Sequence, residues 1–178
     1  MNSHTMRRMR RPRLLIVGCG DVGLRVLRLL RGRWQVMALT SSPERLGALR
    51  AAGALPLLGD LDRPTTLARL AHVADAVLHL APPPGNGTHD PRTLALLRAL
   101  ARGGAVQRLV YASTSGVYGD CGGAWVRETQ AFNPLTDRAR RRVDAEGSVR
   151  AFARALRVRT TVLRVPGIYA LDRPDGDP

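Results

Sequence analysis

Leu14 to Gly23 reads Leu-Leu-Ile-Val-Gly-Cys-Gly-Asp-Val-Gly, an apolar run that breaks into glycines at 18, 20 and 23. Leu24, Leu27, Leu29 and Leu30 then return at roughly helical spacing, so the stretch predicts strand, tight turn and amphipathic helix. In that setting each glycine has a job. The first permits the turn, the second lets backbone amides approach a pyrophosphate, and the third lets helix and strand pack closely. The helix N-terminus, with its unpaired N–H groups and dipole, then favours an anion. Gly18, Gly20, Asp21, Val22 and Gly23 are therefore candidate dinucleotide-binding residues. A glycine-rich turn with no ligand is the plain alternative, and the flanking strand and helix argue against it.

Working outward, strand and helix signals alternate along the chain, the pattern of parallel β-α units. Further strands are expected at 34–39, 55–58, 76–80, 109–112 and 160–165. Helices are expected from Ser42-Pro43 to about Ala52, over 65–70, from Asp90-Pro91 to about Arg102, and from Thr136 to about Leu156. Ser42 reads as an N-cap with Pro43 at the first helical position. The run Pro82-Pro83-Pro84-Gly85-Asn86-Gly87 must be loop, because prolines remove backbone donors and glycines allow turns. The expected fold class is α/β, a Rossmann-type doubly wound parallel sheet in the order 3-2-1-4-5-6. Residues 1–12 read as a basic N-terminal tail and 13–178 as a dinucleotide-binding domain.

The 178 residues suffice for one core. The net charge of +14 comes from 28 basic side chains, all arginine, against 14 acidic ones. Lysine binds phosphate well, so replacing every lysine by arginine reads as coding bias rather than as selected phosphate contacts. Arg7, Arg8, Arg10, Arg11 and Arg13 form one basic run and Arg138, Arg140, Arg141 and Arg142 another, yet aromatics are only 4%, too few for base-stacking platforms. No specific nucleic-acid partner is expected. The basic start followed by Leu14 to Val17 and Gly18-Cys19 imitates an export signal, but its apolar run is far too short. No stretch approaches a membrane span, and two cysteines make neither a disulfide framework nor a zinc site. The reading is a cytoplasmic protein with no membrane partner. His4, His72 and His89 lack metal-ligand spacing, and no metal site is expected.

Several motifs in one order resemble the NAD-dependent epimerase/dehydratase branch of the short-chain dehydrogenase/reductase superfamily. Gly59-Asp60-Leu61 resembles its adenine-contacting segment, Val77 to Ala81 its fourth strand, Ser113-Thr-Ser-Gly-Val-Tyr-Gly119 its fifth-strand signature, and Arg164-Val-Pro-Gly-Ile-Tyr169 the segment reaching the nicotinamide. The resemblance implies cofactor contacts at Asp60, Leu61, Ala81, Pro82, Pro166, Gly167 and Ile168, a structural role for His79, and a small-molecule substrate, with a nucleotide-sugar as the class to test. A homodimer is left open. Members normally continue into a smaller C-terminal lobe over the substrate, and that lobe is expected to be absent from this chain.

Two departures qualify the resemblance. One residue, not two, separates the first two glycines, as in atypical members. In the family a Ser or Thr on the fifth-strand signature meets the substrate, a Tyr on the next helix transfers the proton, and a Lys one turn later binds the nicotinamide ribose. Thr114 matches the first, while aligning Pro134-Leu-Thr136 puts Arg138 where Tyr belongs and Arg142 where Lys belongs. Arginine stays protonated and offers no exchangeable proton near neutrality. Arg142 remains a ribose-binding candidate. The catalytic candidates are Thr114 and Tyr118, with Tyr169 as another tyrosine able to carry the relay. For Tyr118 a packed aromatic, and for Thr114 a strand-end cap, stay open beside catalysis. An atypical oxidoreductase and a non-catalytic dinucleotide sensor are both compatible with these residues.

Cofactor choice turns on the end of the second strand. An Asp or Glu there would bind the adenosine ribose and repel a 2′-phosphate. Thr40, Ser41 and Ser42 stand there instead, with Arg45 one turn on and Glu44 directed elsewhere by helical geometry. This suits NADP over NAD.

Overall fold

Leu14 to Val17 form the buried part of strand β1 (Arg13–Val17) in the computed structural model, which describes residues 11–169. A strand covered on both faces has no polar side to show, which is why this one reads as a continuous apolar run. Helix α1 (Asp21–Leu29) returns the chain to β2 (Gln35–Thr40), and α2 (Arg45–Ala51) leads to β3 (Leu55–Leu58). A 3-10 segment, Pro64–Leu70, precedes β4 (Ala76–His79), and α3 (Pro91–Ala101) precedes β5 (Arg108–Thr114). A second 3-10 turn, Ser115–Tyr118, a long loop and α4 (Asp137–Leu156) lead to β6 (Arg159–Val165).

The six strands form one parallel sheet in the order β3-β2-β1-β4-β5-β6, so the expected topology is the observed one. Successive strand residues point to opposite faces, and each face has its own core. Leu15, Val17, Met37 and Leu39 join Leu96 and Leu100 of α3 and Val149 and Phe152 of α4. Leu14, Ile16, Val36 and Ala38 join Leu27 of α1 and Leu49 of α2. Strand order reverses between β1 and β4, the place where the loops at the strand ends part and leave a crevice.

Side chains cap the starts of α3 and α4 but not those of α1 and α2. Asp90 accepts from the Thr93 N–H at the start of α3, and Thr136 from the Ala139 N–H at the start of α4. The expected Ser42 cap is corrected: α2 begins at Arg45, after Glu44, with no side-chain cap. Ser42 instead gives its own N–H to the Thr40 hydroxyl, and Ser42 and Pro43 accept from the Arg45 and Leu46 N–H groups as a preceding turn. The Thr40 hydroxyl competes for the backbone here, as short hydroxyl side chains do. Arg7, Arg8, Arg10 and His4 lie outside the described residues, as does the end of the 13–178 domain assignment.

Candidate functional site

The three glycines behave as three different physical devices. Gly18 has a φ of +83°, and a Cβ there would stand 2.4 Å from the Ala81 N, so only glycine allows the β1 turn to lie against the end of β4. A Cβ at Gly23 would meet Cys19 Sγ at 3.2 Å and Ile16 Cγ2 at 3.3 Å, the close packing of α1 on β1. At Gly20 no atom lies within 4 Å of a Cβ, so that position faces open space at the head of α1. Gly20 precedes the helix without a side-chain cap, leaving first-turn N–H groups to another acceptor. Tight where the backbone folds and open where a ligand would lie, this turn fits a dinucleotide pyrophosphate.

A cleft of about 220 Å³ opens beside it along the ends of β1 to β4. Gly18, Thr40, Ser41, Arg45, Asp60, Leu61, Ala81 and Pro82, eight of the candidates, line it together. Asp21, Val22 and Gly23 sit in the first turn of α1 behind it, with Asp21 paired to Arg25 at 2.9 Å. Arg45 spans the cleft, its Nη2 donating to the Cys19 carbonyl at 2.7 Å. Burial pushes the Cys19 thiol up, only partly offset by Arg45, so it stays a neutral thiol.

Two residues of this cleft escaped the reading of the sequence. Arg92, in the first turn of α3, donates from Nε to Asp62 Oδ1 at 2.7 Å and from Nη2 to Asp62 Oδ2 at 2.6 Å. The hydrogen bond from Arg92 holds the Asp62 carboxyl below its ordinary range against the opposing effect of burial. An arginine in a predicted helix carries no signal that it will face a loop 30 residues earlier.

Arg142, Pro166, Gly167 and Ile168 do not join the cleft. Arg142 donates from Nη1 to the Tyr111 hydroxyl at 3.1 Å and the Ala112 carbonyl at 2.8 Å, beside the end of β5. Gly167 and Ile168 are exposed beyond β6. Pro166 lines a second cleft of about 650 Å³, together with Ser115, Tyr118, Cys121, Glu128 and Arg164. Thr114 accepts from the Gly116 N–H at 3.2 Å, the strand-end cap that the sequence left open. Arg138 and Tyr169 are exposed.

Around Tyr118 the structure builds an ionic network. Glu146 is fully buried and accepts from Ser113 Oγ at 2.6 Å, Arg150 Nη2 at 2.8 Å and Arg164 Nη2 at 2.9 Å. Burial would raise its carboxyl, but these hydrogen bonds and the two guanidinium charges bring it below the ordinary range. Arg164 also donates to the Tyr118 hydroxyl and, at 2.9 Å, to the Glu128 carbonyl. Tyr118 is thus an acceptor from arginine, which leaves its own proton to donate. The network escaped the sequence because Glu146 reads as one acid among helical arginines.

His79 takes the structural role. It is buried and meets Thr93 Oγ1 at 2.8 Å, while Thr93 donates on to Asp90 Oδ2 at 2.7 Å, so His79 carries its proton on Nε2. Burial, aided by the charge of Arg142, pushes the imidazole down to about 3. Among the described residues no group of three His, Cys, Asp or Glu converges to hold a metal ion, and no helix is long and apolar enough to cross a membrane.

A family model described as NAD(P)H-binding matches residues 18–175. No curated protein matches the sequence. Among solved structures, a functionally unknown conserved protein from Silicibacter pomeroyi DSS is 32% identical, with a TM-score of 0.72 over 91% of this chain and 55% of that one. UDP-glucuronic acid 4-epimerase from Bacillus cereus, in complex with NAD, is 24% identical, with a TM-score of 0.73 over 92% and 60%. The UDP-Glc/GlcNAc 4-epimerase from Campylobacter jejuni is 22% identical, with a TM-score of 0.73 over 86% and 53%. The two epimerases share the fold with this chain, which spans little more than half the length of the three structures.

Proposed function

We propose, on the premise that this chain belongs to the NAD(P)H-binding family, that the glycine turn and the first cleft hold the adenosine and pyrophosphate half of a nicotinamide dinucleotide. The observation that carries this is the open space over Gly20 at the head of α1, one residue after Cys19 of a cleft lined by residues from four strand ends. Gly18, Gly20, Asp21, Val22 and Gly23 would hold the pyrophosphate, Asp60 and Leu61 the adenine, and Ala81 and Pro82 the passage towards β5. Arg142, Pro166, Gly167 and Ile168 are the candidates for the nicotinamide half.

NADP is the proposed form. No carboxylate stands at the end of β2, and Thr40, Ser41 and Arg45 bring hydroxyls and a cation to the cleft. Arg45 uses one Nη2 donor on the Cys19 carbonyl and keeps others for a phosphate. Calorimetric titration with NADPH and NADH tests this, and tighter NADH would overturn it.

The proposed activity is that of an atypical epimerase/dehydratase-like oxidoreductase of the cytoplasm, with a nucleotide-sugar as the first substrate class to test. The dinucleotide supplies hydride transfer when bound. Thr114 would bind substrate, and Tyr118, held by Arg164 with its own proton free, would carry the acid/base step. A second reading, a dinucleotide sensor without turnover, draws on the exposed Arg138 and on Arg142 being engaged by Tyr111 and Ala112. NAD(P)H absorbance against a panel of nucleotide-sugars separates the two in a longer form that carries a substrate lobe, where turnover supports the oxidoreductase and its absence the sensor. We expect little or no turnover from the 178 residues, before or after Arg138→Tyr with Arg142→Lys. Robust turnover by the unaltered chain would overturn the alignment of Arg138 and the sensor reading alike.

A further inference from the structure

The adenosine cleft has no aromatic side chain on its walls. A purine ring gains most from a flat, polarisable partner, and a guanidinium plane supplies one where Phe, Tyr and Trp are missing. Two arginines reach this cleft, and they are held differently. Arg45 hangs from a single carbonyl at the β2 end, among hydroxyls. Arg92, in the first turn of α3, is fixed within its own plane: Nε and Nη2 form a two-point bond with Asp62, and Nη1 turns towards the Pro82 and Pro83 carbonyls at 3.4 and 3.5 Å. With Nε, Nη1 and Nη2 all turned towards these acceptors, Arg92 has little left to offer a phosphate, while its side chain lines the cleft and stays 29% exposed. Asp62 neutralises it as well, which further weakens a case for anion binding.

We infer that Arg92 is the platform on which the adenine base of a bound dinucleotide stacks, and that Asp62 is a positioning residue that sets the plane. The inference rests on the proposed seating of the adenosine half in this cleft. It enlarges the site by two residues from segments 30 positions apart, and it makes the ligand's base, beyond its phosphates, a determinant of affinity.

The test is calorimetric titration of the whole chain with ADP-ribose and, separately, nicotinamide mononucleotide. Arg92→Gln should weaken ADP-ribose roughly tenfold, within the span of cation–π contacts on partly buried sites, and leave nicotinamide mononucleotide unchanged. Arg92→Lys keeps the charge and loses the plane, so it should be as weak as Arg92→Gln. Asp62→Asn should cost about threefold, because the plane is retained but less firmly held. Restoration by Arg92→Lys would mean a phosphate contact and overturn the inference, as would unchanged ADP-ribose affinity in Arg92→Gln. A parallel loss for nicotinamide mononucleotide would reduce Arg92 to a structural residue and overturn it too. If the unaltered chain fails to bind ADP-ribose, the dinucleotide reading itself falls, and this inference with it.

Discussion

At the β1–β2 end of the sheet edge the glycine turn is shaped by backbone: no room for a side chain at Gly18, an open position at Gly20, and a helix head without a cap. At the β5–β6 end the walls are side chains, and buried Glu146 gathers Ser113, Arg150 and Arg164, with Tyr118 held at the rim. The first end is organised by what is missing from it, the second by charge that must be compensated once it leaves water. The contrast teaches that a phosphate-sized opening can be built from backbone geometry, whereas holding a hydroxyl in place needs partners from several elements.

The largest effect tests the backbone end. Gly18→Ala should lower stability by roughly 4 kcal/mol, combining a left-handed φ with overpacking on the β4 backbone, read as a fall in thermal midpoint. Gly20→Val should leave that midpoint nearly unchanged and abolish the stabilisation by NADPH, since its side chain would fill only ligand space. If both variants lose stability alike, the distinction between folding glycine and binding glycine is wrong.

Next comes the charged end. Glu146→Gln should cost about 3 kcal/mol, because it strands Arg164 and weakens Arg150. The native carboxyl lies below its ordinary 4.5, so its contribution is present above that pH and is lost as pH falls through the folded value. Acid unfolding monitored by circular dichroism should therefore move to higher pH in Arg164→Gln, where that support is removed. An unmoved transition would show that the network does not hold the strands.

His79 acts over a wider pH range. Its folded value of about 3 lies below the ordinary 6.5, so the unfolded chain takes up a proton that the folded one refuses. Stability should fall as pH drops from 6.5 towards 3, by at most about 1.4 kcal/mol per pH unit. His79→Gln should flatten that slope in denaturant titrations at several pH values.

The smallest effect concerns ligand choice. Arg45→Ala should reduce the NADPH preference over NADH by about tenfold, roughly 1.4 kcal/mol, with a loss that shrinks as salt rises. A preference unchanged in calorimetry would make Arg45 a strap on the Cys19 carbonyl alone.

How legible each end was follows from the range of its interactions. Gly18, Gly20 and Gly23 announce themselves because turn, approach and packing are met within six consecutive positions, Thr40 and Ser41 because they end the second strand, and Asp60, Leu61, Ala81 and Pro82 only through the family resemblance. Ser42 was misread as a cap because Thr40, two residues back, competes for its backbone. Arg92, Asp62 and Glu146 stayed hidden because the pairings Arg92–Asp62, Glu146–Ser113 and Glu146–Arg164 span 18 to 33 residues and an isolated charge carries no address.

The alternation of apolar strands and amphipathic helices, and the glycine turn between the first two, determined the parallel sheet and the tight turn at the head of α1, since local sterics and burial dictate both. Only the tertiary structure decided which cations face which acceptors: that Arg92 locks onto Asp62, that Arg142 turns to Tyr111, and that Arg164 joins Glu146 to Tyr118. Charged side chains find partners by proximity after the backbone has closed, and a buried charge is tolerated only where that closure brings its complement within hydrogen-bond reach.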